Sequence, residues 1–127
     1  MKTYIHYAPP DETFWEKYSL LWQNSMGWSP FQSPHILQYF SGKVEDDIVA
    51  FQYIRDERLI AAVVLRKDKG VYTFLSDMKT DVNFFVLHRQ CTAADVKQFF
   101  EQFLQILKTE GWTLVLNYQP AWAGYMN

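Results

Sequence analysis

The stretch from Thr92 to Tyr118 constrains this 127-residue chain more than any other, because it carries one complete helix and the strand after it, with both boundaries marked. Thr92 stands where an N-cap belongs, and Asp95, three residues on, has capping-box spacing with its carboxylate near the helix's positive end. Val96, Phe99, Phe100, Phe103, Leu104 and Leu107 recur at helical spacing and define an apolar face, while Asp95, Lys97, Gln98, Glu101, Gln102, Gln105 and Lys108 fall mainly elsewhere. Gly111 ends the helix, since a residue without a Cβ enters the left-handed C-cap conformation cheaply. The segment that follows, WTLVLNY, is short and rich in β-formers and predicts a buried strand over residues 112–118. An apolar stripe on a helix has to be covered, so the rest of the chain is read as what covers it.

The upstream segments supply that cover. Lys2 to Ala8 predicts a first strand, stopped by Pro9 and Pro10. Asp11 opens a helix on which Phe14, Tyr18, Leu21 and Trp22 share a face, with Trp15 at its margin, and residues 24–27 close it. Trp28 to Pro34 holds two prolines and predicts a shaped turn, onto which Trp22, Trp28 and Phe31 would pack. Ser33 as N-cap and Pro34 at the first helical position start a second helix, predicted to run to about Phe40 with Gly42 ending it. Glu45 to Asp47 is a solvated turn. Ile48 to Arg55 and Arg58 to Lys67 are β-like runs joined by Asp56-Glu57, the spacing of a tight hairpin. The second run is almost continuously apolar, which places it centrally with both faces covered. Val71 to Ser76 and Asp81 to His88 predict two further strands. The order is β-α-α-β-β-β-β-α-β, a mixed sheet flanked by helices in a single α/β domain over residues 1–127.

Charge and composition narrow the function. The formal net charge is −2, with Lys and Arg scattered singly, which argues against a nucleic-acid surface. The segment MKTYIHYAPPDETFW lacks the apolar core of a secretory signal, and no apolar run approaches the roughly 20 residues that span a bilayer, so a cytoplasmic protein without membrane contact is expected. Aromatic residues make up 18% of the chain, material for a core or an interaction surface. His6, His35 and His88 are too dispersed for a metal signature, and no metal site is expected. Cys91, beside Arg89 at a helix start, has the setting of an activated thiol and could be paired with His88; the simpler reading is a half-buried, inert thiol. Asp77 and Asp81 flank a polar connection, where capping a turn is the common role.

At Trp22, Pro30-Phe31-Gln32-Ser33-Pro34, the hairpin from Ile48 to Leu65, and Thr73-Phe74-Leu75-Ser76 with Asp81, the chain resembles the amino-terminal half of acetyltransferase-like proteins of the CelD/BioF2-like group. These belong to the GCN5-related N-acetyltransferase (GNAT) superfamily. The resemblance covers nearly the whole chain through short motifs in a shared order. Leu75-Ser76 replaces a Leu-Gly-like pair, and Val82 replaces an aromatic residue. It implies a GNAT fold, in which the strand before the principal helix splays from its neighbour and the gap holds the cofactor's pantetheine. It also implies acyl transfer from acetyl-CoA or another acyl-CoA to an amine. Asp77 and Asp81 would then lie near a substrate cleft, the second at an acidic position where it binds an amine or acts as general base. Tyr72 and Tyr118 match the family's use of a strand tyrosine as an acid.

The cofactor loop departs from the family pattern. Functional members carry Gln/Arg-x-x-Gly-x-Gly/Ala, whose glycines let backbone amides reach the diphosphate at a helix N-terminus. Here Arg89 and Gln90 begin the loop, Thr92 and Ala94 fill the two small positions, Ala93 lies between them, and Asp95 puts a carboxylate in the first turn. Like charge disfavours a diphosphate there, so no cofactor is expected for this chain alone. Relatives of this group carry two GNAT-like halves, with the cofactor site in the second. The chain is therefore expected to be either such a half or a short stand-alone relative, working with a second GNAT-like half or as a homodimer. Trp122 and Tyr125 would serve as a docking tail or fold back on the sheet. A non-enzymatic interaction domain and a complete small acetyltransferase with an atypical loop stay open beside it.

Overall fold

The computed structural model describes residues 3–25, 33–43, 47–68, 71–74 and 85–115. The turn at 28–32, Asp77, Asp81, Tyr118, Trp122 and Tyr125 lie outside these residues. In order, the elements are β1 (Thr3–Ala8), α1 (Glu12–Gln23), α2 (Pro34–Lys43), β2 (Asp47–Arg55), β3 (Arg58–Asp68), β4 (Val71–Phe74), β5 (Val86–Leu87), α3 (Ala93–Glu110) and β6 (Thr113–Val115). This is the order expected from the sequence, in a mixed α/β domain.

The sheet runs β1-β2-β3-β4-β6, antiparallel except for the parallel β4–β6 pair. β3 lies inside it, and Leu59 to Leu65 are buried. Its side chains alternate between two cores, with Val63 and Leu65 under α3 and Ala62 and Val64 under α1 and α2. The continuous apolar run therefore reflects helices on both faces. Near the hairpin end the register shifts, and Ile60 and Ala61 both enter the α3 core, as a bulge requires. Asp56 and Glu57 make the turn with φ of 49° and 70°, the left-handed pair of a two-residue hairpin. Neither is the glycine or asparagine that this geometry favours.

β4 and β5 share one edge of β3. Phe74 pairs with Leu65 and Val86 with Ala62, both antiparallel, so the two short strands run in the same direction with Val63 and Val64 between them. Together they act as one interrupted strand beside β3. Among the described residues, β6 joins this line at β4, through Val71 to Thr73.

α3 forms as its sequence requires. Thr92 Oγ1 accepts from the Asp95 N–H at 3.1 Å, the Asp95 carboxylate accepts from the Thr92 N–H at 3.0 Å, and Gly111 takes φ 71°. Phe99, Phe103 and Leu107 are buried, each contributing about 2 kcal/mol relative to exposure. Phe103 meets Phe51 and Phe85 edge-on at 4.8 and 5.1 Å. Leu104, read as part of the apolar face, is 44% exposed, because the sheet covers a narrower arc than the helical pattern spans. On α1, Asp11 caps the helix, and Trp15 is buried while Trp22 is half-buried, the reverse of the expected order. α2 continues through Gly42 to Lys43, since a glycine ends a helix only where it turns left-handed.

Candidate functional site

The junction from β5 to α3 is where the fold gathers polar groups. His88 follows β5 and is 8% exposed. Its N–H donates to the Ile60 carbonyl at 2.9 Å, and its own carbonyl accepts from the Cys91 N–H at 2.9 Å. Its Nδ1 accepts from the Gln90 N–H at 3.0 Å, which leaves the imidazole proton on Nε2. Burial, then the nearby Arg58 and Arg89, push its pKa below the usual histidine value. The Arg89 N–H donates to the Asn24 carbonyl at 2.8 Å, and Ser25 bridges to His88, so the end of α1 closes the strand edge at this point.

Asp95 is the pivot of the next turn. One carboxylate oxygen accepts from the Thr92 N–H, and the other pairs with Arg55 from the end of β2, forty residues away. The ion pair is largely buried, with side chains 24% and 11% exposed. Arg55 thus neutralises the charge that the sequence placed at the start of α3. Among the described residues, the buried Tyr53 Oη and Arg55 Nε have no hydrogen-bond partner.

Seen from the loop's own amides, Arg89, Gln90, Cys91 and Thr92 each donate to an internal acceptor, and so does Asp95. Ala93 and Ala94 are exposed at the first turn. Thr92 has φ −86°, a conformation that needs no glycine, and its side chain is the cap. A diphosphate requires several converging N–H donors at a helix start. Bonds to Asn24, His88, Asp95 and Thr92 occupy the N–H groups of Arg89, Gln90, Cys91, Thr92 and Asp95, so the exposed Ala93 and Ala94 are the loop's remaining donors, fewer than a diphosphate usually draws on at a helix start.

Cys91 is held in place rather than activated. Its thiol donates to the Ile60 carbonyl at 3.1 Å, and burial raises its pKa against the smaller opposing effects of the His88 backbone and Arg55. It makes no side-chain pair with His88, whose Nδ1 is occupied. Tyr72 is buried beside Trp112 at 4.6 Å, at the opposite end of the sheet, and burial, Asp47 and Glu110 raise its pKa. The structure brings Arg89, Gln90, Thr92, Ala93 and Ala94 together and leaves Tyr72 apart from them. Among the described residues no group of three His, Cys, Asp or Glu side chains is placed to hold a metal ion, and no helix is long and apolar enough to cross a membrane.

Arg55 escapes a reading of the sequence, which names His88 only as a possible partner for Cys91. Arg55 has no local signature, because its partner is set by the sheet. His88 has a weak one: a histidine two residues before Gln90 can accept that residue's N–H. A shallow pocket of about 80 Å³ lies against Arg55, Arg58, His88 and Cys91. A larger groove of about 250 Å³ runs between α1 and the β2–β3 turn, with Arg58 and His88 common to both.

The interrupted strand, the following helix and the parallel strand after it lie in a mixed α/β architecture that matches the GNAT fold of the solved structures below. No protein-family model and no curated protein matches the sequence. Solved structures do match the fold. The ribosomal-protein-S18-alanine N-acetyltransferase of Escherichia coli superposes with a TM-score of 0.61 at 10% identity over 89% of this chain, which spans 66% of that enzyme's length. A probable acetyltransferase of unknown function from meticillin-resistant Staphylococcus aureus, SA2161, gives 0.56 at 19% identity, covering 93% of this chain and 80% of the other. The PaiA N-acetyltransferase of Thermoplasma acidophilum, in complex with coenzyme A, gives 0.53 at 15% identity, covering 85% and 74%.

Proposed function

We propose that this chain is a GNAT-like domain that does not catalyse by itself and that forms one wall of an acceptor cleft against a second GNAT-like half. The observation that carries this reading is the hydrogen-bonded closure of the loop from Arg89 to Thr92, which leaves Ala93 and Ala94 as its exposed donors. Arg89, Gln90, Cys91 and Thr92 direct their N–H groups inward, and Asp95 stands paired with Arg55 where a diphosphate would sit. The α1 end, bridged to His88, closes the strand edge along which a pantetheine arm would lie. The resemblance to amino-terminal halves of CelD/BioF2-like proteins supports the same reading, since those halves leave the cofactor to their partner.

The Thermoplasma neighbour is seen with coenzyme A, so an acyl-CoA is the ligand to test. Isothermal calorimetry with acetyl-CoA and with CoA is expected to give no saturable heat. Micromolar binding would overturn the reading and make the chain a small acetyltransferase with a divergent loop.

A second reading, a non-enzymatic interaction domain, is favoured by β1. That strand is an edge of the sheet, with Tyr4 and Tyr7 each more than a third exposed. Edge strands offer backbone donors and acceptors to a second chain. Sedimentation at low protein concentration separates the two readings, since a dimer that persists without acyl-CoA favours pairing.

A further inference from the structure

The groove between α1 and the β2–β3 turn lies outside the cofactor loop and has a composition of its own. Leu20 and Leu21 of α1 and Leu59 of β3 give it an apolar wall. Leu20 is 64% exposed, so an apolar group laid in the groove would take that side chain out of water. Lys17 and Arg58 bring two cations to the lining and Glu57 one anion. His88 contributes a neutral imidazole, nine-tenths buried and fixed by the Gln90 N–H so that Nε2 carries its proton.

We propose that this groove binds a small monocarboxylate with an alkyl tail. Lys17 and Arg58 hold the carboxylate, the His88 Nε2–H donates to it, and the tail lies along Leu20, Leu21 and Leu59. With His88 neutral the lining carries a single net positive charge, which suits a monoanion and disfavours a polyphosphate. Arg58 and Arg89 reinforce the positive field at the imidazole. The volume of about 250 Å³ accommodates a short alkyl chain and little more. The site is separate from the closed loop and stands whether or not the chain binds an acyl-CoA.

The test is a titration of the intact, isotope-labelled chain with sodium hexanoate near neutral pH, followed by amide and imidazole NMR shifts. Saturable shifts at Leu20, Arg58 and His88 are expected. Arg58→Met is expected to raise the dissociation constant about tenfold, and Leu20→Glu, at an exposed position, to abolish saturation. Hexan-1-ol and acetate serve as controls lacking the charge and the tail, and neither is expected to saturate. Equal shifts with hexan-1-ol, an unchanged titration in Arg58→Met, or no saturable shift with hexanoate would each overturn the proposal.

Discussion

At its first turn α3 is held by hydrogen bonds and one ion pair, whereas at its last turn it is held by rings. The first turn joins Thr92, Asp95 and Arg55 to the loop from His88 through a capping box, one ion pair and the bond from Gln90. The last turn runs through the left-handed Gly111 to Trp112, which meets Tyr72 at 4.6 Å, Tyr7 edge-on at 5.9 Å and Phe51 at 6.3 Å. The Lys67 ammonium lies 5.7 Å from the Trp112 ring centre and 5.8 Å from that of Tyr72. Ring packing is broad and tolerant of small shifts. A hydrogen-bonded turn is specific, and losing one partner leaves the other buried and unmatched.

The comparison can be broken most strongly at the aromatic end. Trp112→Ala removes a half-buried ring from contact with three others and is expected to destabilise the fold by about 3 kcal/mol in denaturant titration. Trp112→Phe should recover more than half of that loss, since any flat ring serves there. If both variants lose the same amount, the indole has a role that packing does not describe.

At the polar end, Asp95→Ala deletes the second half of the capping box and strands a largely buried guanidinium. The expected loss is about 2 kcal/mol. Here the conservative change should not rescue well: Asp95→Asn keeps the shape but not the charge facing Arg55. Near-wild-type stability of Asp95→Asn would mean that the ion pair contributes little and the cap alone holds the turn.

The smallest expected effect is the dependence of stability on pH through His88. Its folded pKa lies below the ordinary value of 6.5, so the unfolded chain takes up a proton first as pH falls. The stability that His88 contributes is complete above that value and is lost as pH drops through the window between it and the lower folded pKa. Protonation would also remove Nδ1 as the acceptor for Gln90. Unfolding free energies of the wild type and His88→Gln, compared between about pH 7.5 and 5.5, should converge toward the acid side. Curves that stay parallel would remove His88 from this role.

Most of the architecture could be read from the residues, and the reasons are local. Thr92, Asp95 and Gly111 mark their helix through bonds that span at most four residues, and the alternation along β3 follows from strand geometry. Asp56-Glu57 was legible as a turn by its spacing alone, although its left-handed backbone was not, since neither residue favours it. Leu104 was misread because the width of an apolar face depends on the curvature of what covers it.

The candidate site was legible only in part. The loop from Arg89 to Asp95 stood out by its missing glycines, and its likeness to a cofactor loop was a matter of order along the chain. That Asp95 meets Arg55 and that Asn24 takes the Arg89 N–H depend on how β2, β5 and α1 come together, whereas the bond from Gln90 to His88 spans two residues. Element order, both ends of α3 and the central strand follow from the residues alone, because these rest on backbone preferences and on the period of apolar residues. The partner of Asp95 and the acceptor of the Arg89 N–H were settled by the fold, because those two pairings join residues tens of positions apart that no local pattern relates.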